Sequence, residues 1–190
     1  KECAMSAVSK RPRVQGYAIV SREGMIANAD GSFPDAIKIP ADQEFFHGAL
    51  RRAAAIANGK HSNEGGPESA ARPRLILTRK IASLASDPRN PKALLWNPKG
   101  ASLEETWARL GARGDVLAIV GGTEVFGLFL ELGYDDFFLT RAKASLPDGR
   151  PVFPGGFSPE EALKRHGMAL KETRVLDAAS GTVVEHWVRT

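Results

Sequence analysis

The chain has 190 residues, 43% of them apolar and 25% charged, with a net charge of +4. That length can bury one hydrophobic core without covalent staples, and the composition is that of an ordinary folded domain. A single cysteine, Cys3, excludes an internal disulfide framework and a cysteine zinc site and fits a reducing, cytoplasmic setting, while no apolar run reaches the length of about 18 residues that reads as a membrane span.

Residues 1–13 (KECAMSAVSKRPR) are basic but have no apolar stretch that would make a signal peptide. They are expected to form a disordered leader, with residues 14–190 as one domain. Residues 14–21 (VQGYAIVS) read as the first strand, followed by the turn Arg22-Glu23-Gly24 and by Met25-Ile26-Ala27. The loop 28–40 is long for a compact domain, and such loops are often functional. Pro40 opens a helix to about residue 54 that places Phe45, Phe46, Ala49, Leu50 and Ala53 on one face. Asp42, in or just before its first turn, is either a cap or, four residues ahead of Phe46, one side of a pocket.

Residues 54–57 read as a short strand leading to Asn58-Gly59-Lys60-His61-Ser62, and 63–73 as a polar loop. Residues 74–78 (RLILT) are a strand followed at once by Arg79 and Lys80. Two cations beside the Thr78 hydroxyl suit a phosphate, although bases at a strand end are commonly just solvated. Residues 93–96 (ALLW) form another short strand, and Ser102 to Glu105 fits a capping box that starts a helix ending in the glycines near 111–114.

Residues 115–129 (DVLAIVGGTEVFGLF) form the centre of the pattern. An apolar run at 116–120 reads as a buried strand, Gly121 and Gly122 stop it, and Val125, Phe126, Phe129 and Leu130 then recur at helical spacing. Paired glycines let backbone N–H groups approach a ligand, and the helix start beyond them favours phosphate. A plain tight turn fits the local motif equally well. Residues 136–144 make a further strand, 147–156 (PDGRPVFPGG) a turn-rich segment, and Ser158 to Glu161 a second capping box with a helix to His166. Residues 168–176 and 182–189 alternate about DAASG as a C-terminal hairpin. The expected architecture is α/β: a mostly parallel sheet flanked by helices, ending in an antiparallel hairpin. The basic residues are scattered and not interleaved with aromatics, which argues against nucleic acid and suits a small anionic ligand.

Several segments in order resemble the dihydrofolate reductase superfamily, and more closely the C-terminal reductase domain of bacterial riboflavin-biosynthesis deaminase-reductases. They are S-R-E-G-M-I-A at 21–27, P-A-D-Q-E-F-F at 40–46, N-G-K-H-S at 58–62 and L-I-L-T-R at 75–79. V-G-G-T-E-V-F at 120–126 and L-T-R through D-G-R-P-V-F-P at 139–154 complete the set. The resemblance implies a three-layer dihydrofolate reductase-like fold and NADPH as cofactor. Gly121, Gly122, Thr123, Glu124 and Val125 would surround its pyrophosphate, with an unusual peptide geometry between the two glycines. Gly59, Lys60, His61 and Ser62 would bind phosphate at a second helix start, and Thr78, Arg79 and Lys80 the adenosine 2′-phosphate. The resemblance casts Asp42 as the catalytic carboxylate, supported by Thr140. Phe46, Ala27 and Phe33 would contact a heterocyclic substrate, and the loop 28–40 would be the lid over it.

Departures from the pattern are equally specific. Lys60 stands where relatives carry arginine, Asn63 where an aromatic is frequent, and Glu23 where the riboflavin branch has aspartate. The lid lacks the usual tryptophan, and the H-x-E and P-C-x-x-C ligands of a zinc deaminase do not occur. The resemblance therefore implies a reductase resembling 5-amino-6-(5-phosphoribosylamino)uracil reductase. The alternatives are dihydrofolate reductase itself and a catalytically inactive nucleotide-binding protein. It also implies a homodimer as the assembly and no nucleic-acid or membrane partner.

Overall fold

The computed structural model describes residues 10–60 and 71–190. Eleven strands and four α-helices follow one another among the described residues: β1 (Arg13–Val20), β2 (Met25–Ala27), α1 (Pro40–Arg52), β3 (Ala55–Gly59), β4 (Arg74–Leu77), β5 (Leu84–Asp87), β6 (Asn90–Trp96), α2 (Leu103–Leu110), β7 (Val116–Ile119), α3 (Thr123–Leu132), β8 (Asp136–Arg141), β9 (Arg150–Pro151), α4 (Pro159–Arg165), β10 (Met168–Asp177) and β11 (Thr182–Arg189). Nine strands make one sheet in the order β10-β11-β8-β1-β7-β3-β4-β6-β5, while β2 and β9 pair separately. The six strands from β8 to β6 are mutually parallel. Antiparallel pairing flanks them on both sides, through β11 and β10 at one rim and β5 at the other.

Helices cover both faces, as parallel strands require. On one face α1 lays Phe45, Phe46, Ala49, Leu50 and Ala53 against Tyr17, Ile56, Ala118 and Val120. On the other, Leu103 of α2, Phe126 and Phe129 of α3 and Leu163 of α4 join Val14, Val20, Leu117, Leu139 and Trp187 in the larger core. The alternation within β1 divides it between the two: Tyr17 faces α1, while Gly16 lies beneath the opposite core. A Cβ on Gly16 would stand 2.3 Å from the Phe137 ring and 2.8 Å from that of Tyr134, so the missing side chain makes room for this aromatic pair. The two rings meet edge to face at 4.9 Å.

Both capping boxes expected from sequence are present, Ser102 with Glu105 and Ser158 with Glu161. Gly111 ends α2 in the left-handed region at φ 64°. The sequence reading differs from the structure in several places. The helix from Pro40 stops at Arg52, two residues early, and β8 ends at Arg141 where 144 was expected. Two strands were not foreseen: β5, whose LASD has no alternation, and β9, a pair of residues hidden in a turn-rich segment. The expected loop 28–40 contains a short 3₁₀ turn at Asp35–Ile37, which buries Ile37. β1 begins at Arg13, and Arg11 bonds Asp135 at 3.1 Å. Among the described residues no helix is long and apolar enough to cross a membrane.

Phe137 is wholly buried and packs against Tyr134, Phe126 and Phe153 at ring separations of 4.9–5.7 Å. Phe137→Ala should therefore lower the unfolding free energy by about 3–5 kcal/mol, read as a drop in the denaturant midpoint at unchanged m-value.

Candidate active site

Pro40 occupies the first position of α1 and Ile39 the N-cap, with no side-chain cap. Asp42 is the third helical residue, so the capping alternative for it is overturned: its carboxylate turns inward and is only 9% exposed. It lies in the wall of a cavity of about 570 Å³, bordered by Ile26 and Ala27 from β2, Phe46 from α1, and Val120 and Phe126 about the glycine turn. In such apolar surroundings the charged form loses its hydration. Burial raises the Asp42 pKa above the ordinary aspartate value, and the hydrogen bond from the Thr140 hydroxyl opposes that shift without cancelling it. Thr140 reaches Asp42 because β8 lies beside β1, with Thr140 opposite Ile19.

The second group comes from the β7–α3 junction. Gly121 has φ 112°, a conformation suited to glycine, and the peptide joining it to Gly122 is cis. That is an unusual geometry of the kind the resemblance implies. Gly122 is the N-cap of α3 and also borders the cavity, and among the described residues nothing beyond its chain neighbours lies within 4 Å of where its side chain would stand. The Gly59 amide donates to the Gly121 carbonyl at 3.1 Å, which brings the end of β3 to the same turn. Val125 is buried beside Gly59, and the Thr123 hydroxyl donates to the Pro151 carbonyl at 2.5 Å.

Cations gather next to that turn. Arg79 pairs with Glu124 at 3.8 Å across the gap between β4 and the first turn of α3, and both side chains are largely exposed. The Lys60 pKa is lowered by the hydrogen bond and the charge of Lys80, with smaller effects from desolvation and Arg89. Thr78 accepts from the Lys80 amide at 3.2 Å. Positive side chains thus stand close together where the local carboxylate, Glu124, is already paired. His61 and Ser62 lie outside the described residues. Among the described residues no cluster of histidine, cysteine and acidic side chains could hold a metal.

Phe46, Ala27 and Phe33 all border the cavity, and Phe33 is 47% exposed at its mouth. Sequence reasoning missed the wall formed by Tyr17, Phe45 and Phe138. Tyr17 and Phe138 are register partners and stack at 5.0 Å and 9°, with Phe45 against both. Burial pushes the Tyr17 phenol up to about 12, against the opposing charge of Arg52, so it stays neutral and donates to Gln15 at 2.9 Å. The only sequence signal for this wall was an aromatic in each of two strands; the register that joins them is not local information.

Sheet order, helix placement and the cavity at the strand ends define the dihydrofolate reductase fold. Many solved structures resemble the chain, among them the following three. A deaminase/5-amino-6-(5-phosphoribosylamino)uracil reductase from Thermotoga maritima superposes with TM-score 0.67 at 18% identity, over 95% of this chain and 57% of the Thermotoga chain. A putative riboflavin biosynthesis protein from Shewanella sp. PV-4 gives 0.65 at 17%, over 94% and 99% of the two chains. Dihydrofolate reductase from Enterococcus faecalis, complexed with NADP(H), gives 0.61 at 19%, over 93% and 96%. No protein-family model matches the sequence, and no curated protein matches it significantly. This chain thus spans little more than half the length of the Thermotoga protein.

Because Asp42 titrates higher in the folded chain than in the unfolded one, the folded state binds the extra proton between those two values. The unfolded value is about 3.9. Stability associated with Asp42 is therefore complete in acid and falls as the pH rises through the raised folded value. Asp42→Asn cannot ionise, so it should be more stable than the parent at neutral pH, with the advantage vanishing in acid. Denaturant midpoints across a pH series measure this. Thr140→Val, lacking the opposing hydrogen bond, should move the Asp42 titration higher still.

Proposed function

We propose that the protein is an NADPH-dependent reductase of a pterin- or pyrimidine-like heterocycle, of the 5-amino-6-(5-phosphoribosylamino)uracil reductase type. The observation that carries the reading is one cavity bordered both by a buried carboxyl of raised pKa, Asp42 with Thr140, and by the open side of Gly122. The residues present suit a dinucleotide. Two glycines leave backbone accessible at a helix start, and Lys60, Arg79 and Lys80 offer positive charge beside it. Gly121 to Val125 would hold the pyrophosphate, and Thr78, Arg79 and Lys80 a 2′-phosphate.

A reduced nicotinamide, when bound, supplies a hydride. The chain's own residues do the rest. Hydride addition to a C=N bond leaves negative charge on nitrogen, and a proton must meet it there. Asp42, kept protonated to higher pH by burial, is placed to supply that proton and regain one from solvent. Thr140 orients the carboxyl, Phe46 and the Tyr17–Phe138 wall hold a flat ring, and β2 with the loop after it limits water.

Dihydrofolate reductase is the second reading, favoured by the Asp42–Thr140 pair in one cavity with Phe46. Against it stands a lid whose one aromatic, Phe33, is half exposed. NADPH oxidation with each heterocycle in turn separates them: turnover of the aminouracil phosphoribosylamine and not of dihydrofolate is expected, and the reverse would exchange the two readings. NADPH binding with no oxidation by either, unaltered in Asp42→Asn, would leave the inactive nucleotide-binding protein.

Two substitutions test the assigned roles. Asp42→Asn should lower kcat by about 10²–10⁴-fold with little change in NADPH affinity, measured by steady-state kinetics and cofactor titration. Its pH–rate profile should also lose the decline that the parent shows as Asp42 ionises. Arg79→Ala should weaken NADPH by about 10–100-fold, the worth of a charge-assisted phosphate contact, and leave NADH almost unchanged; equal losses would remove Arg79 from the phosphate site.

A further inference from the structure

Glu23 lies outside the reductase chemistry, yet its exposed carboxylate accepts three hydrogen bonds at the root of β2. One oxygen accepts from the Ser145 hydroxyl at 2.5 Å. The other accepts from the Leu146 amide at 2.7 Å and the Ser21 hydroxyl at 2.9 Å. Ser21 is fully buried and accepts in turn from the Met25 amide at 3.2 Å. Glu23 therefore joins the base of β2 to the segment between β8 and β9, whose residues are far away in sequence.

The surrounding backbone converges on the same place. Arg22 donates to Ala144, Val152 donates to Gly24, and β2 pairs with β9. Further along, Arg150 donates to the Ala29 carbonyl at 3.1 Å. What is held by these bonds matters to the cavity, because Ile26 and Ala27 of β2 and Gly31, Ser32 and Phe33 beyond it form part of its border. Ile26 packs against the larger core, but all three β2 residues are only half-buried, and Gly31, Ser32 and Phe33 are exposed. Polar bonds therefore help to set the position of this stretch, and Glu23 makes the long-range side-chain ones at its root.

We propose that Glu23 is a positioning residue that fixes β2 and the following loop over the cavity by tying Ser21 to the 145–146 turn. Both oxygens act as acceptors, and the Leu146 amide can only donate, so a side chain that brings no acceptor oxygen to this place loses the tie. The bonds from Ser145, Leu146 and Ser21 hold the Glu23 pKa down at about 2, so the tie is charged at neutral pH.

The assignment rests on the cavity being the substrate site, but its principal test needs no turnover. In amide hydrogen exchange, Glu23→Ala should speed exchange in residues 24–33 by about tenfold or more while β7, in the core, exchanges as in the parent. Ser145→Ala, a milder change at an exposed position, should act in the same direction. With the heterocycle that the protein turns over, Glu23→Ala should raise KM several-fold and leave NADPH affinity unchanged, and Glu23→Asp should restore most of both losses. Unchanged exchange at 24–33, or acceleration there and in β7 together, would overturn the proposal. Altered exchange with no reductase activity in the parent would instead leave the tie intact and remove the catalytic reading.

Discussion

The structure depends on the placement of β1 between β7 and β8, bonded in parallel to both. Parallel strands deliver their C-terminal ends to one rim of a sheet, and loops leaving that rim make the crevice typical of open α/β folds. Here β1 leads to β2, β7 leads to the glycine pair, and the end of β8 carries Thr140. The same pairing sets Tyr17 against Phe138 and Ile19 against Thr140, so the aromatic wall and the support of the acid follow from one register. A slip by one residue would turn each of these side chains to the opposite face.

The site has two electrically different ends. About Asp42 the surroundings are apolar, and desolvation keeps the carboxyl neutral to higher pH. About the glycine turn the surroundings are wet and positive, with Lys60 crowded by Lys80 and Arg79 reaching to Glu124. Exposed charges of this kind contribute little to stability, and their proximity works against it. Such an arrangement suits a ligand with phosphates at one end and a neutral ring at the other. The two ends are joined physically as well: Thr123 beside the glycines bonds Pro151 of β9, and β9 pairs with the β2 strand that borders the cavity.

Much of this was legible in the residues because the signals were local. The capping boxes, the apolar run before Gly121, the helical recurrence of Phe45, Ala49 and Leu50, and the C-terminal hairpin each sit within a short window. The position of Asp42 could be stated, but not its choice between cap and pocket. That choice depends on Ile39 taking the cap and on Thr140, 98 positions later, arriving beside it. Tyr17 with Phe138, and Glu23 with Leu146, were invisible for the same reason: each pair exists only once distant strands are in register. β5 and β9 were missed because edge pairing tolerates sequences without alternation.

The outermost strand, β10, has a further consequence. Its register against β11 shifts twice, between Leu170 and Glu172 and between Val175 and Asp177, and Lys171, Glu172 and Arg174 stand along it. Kinked, charged borders make poor templates for another backbone. Ribbon-to-ribbon growth of the sheet into a neighbouring molecule is thus discouraged at this side.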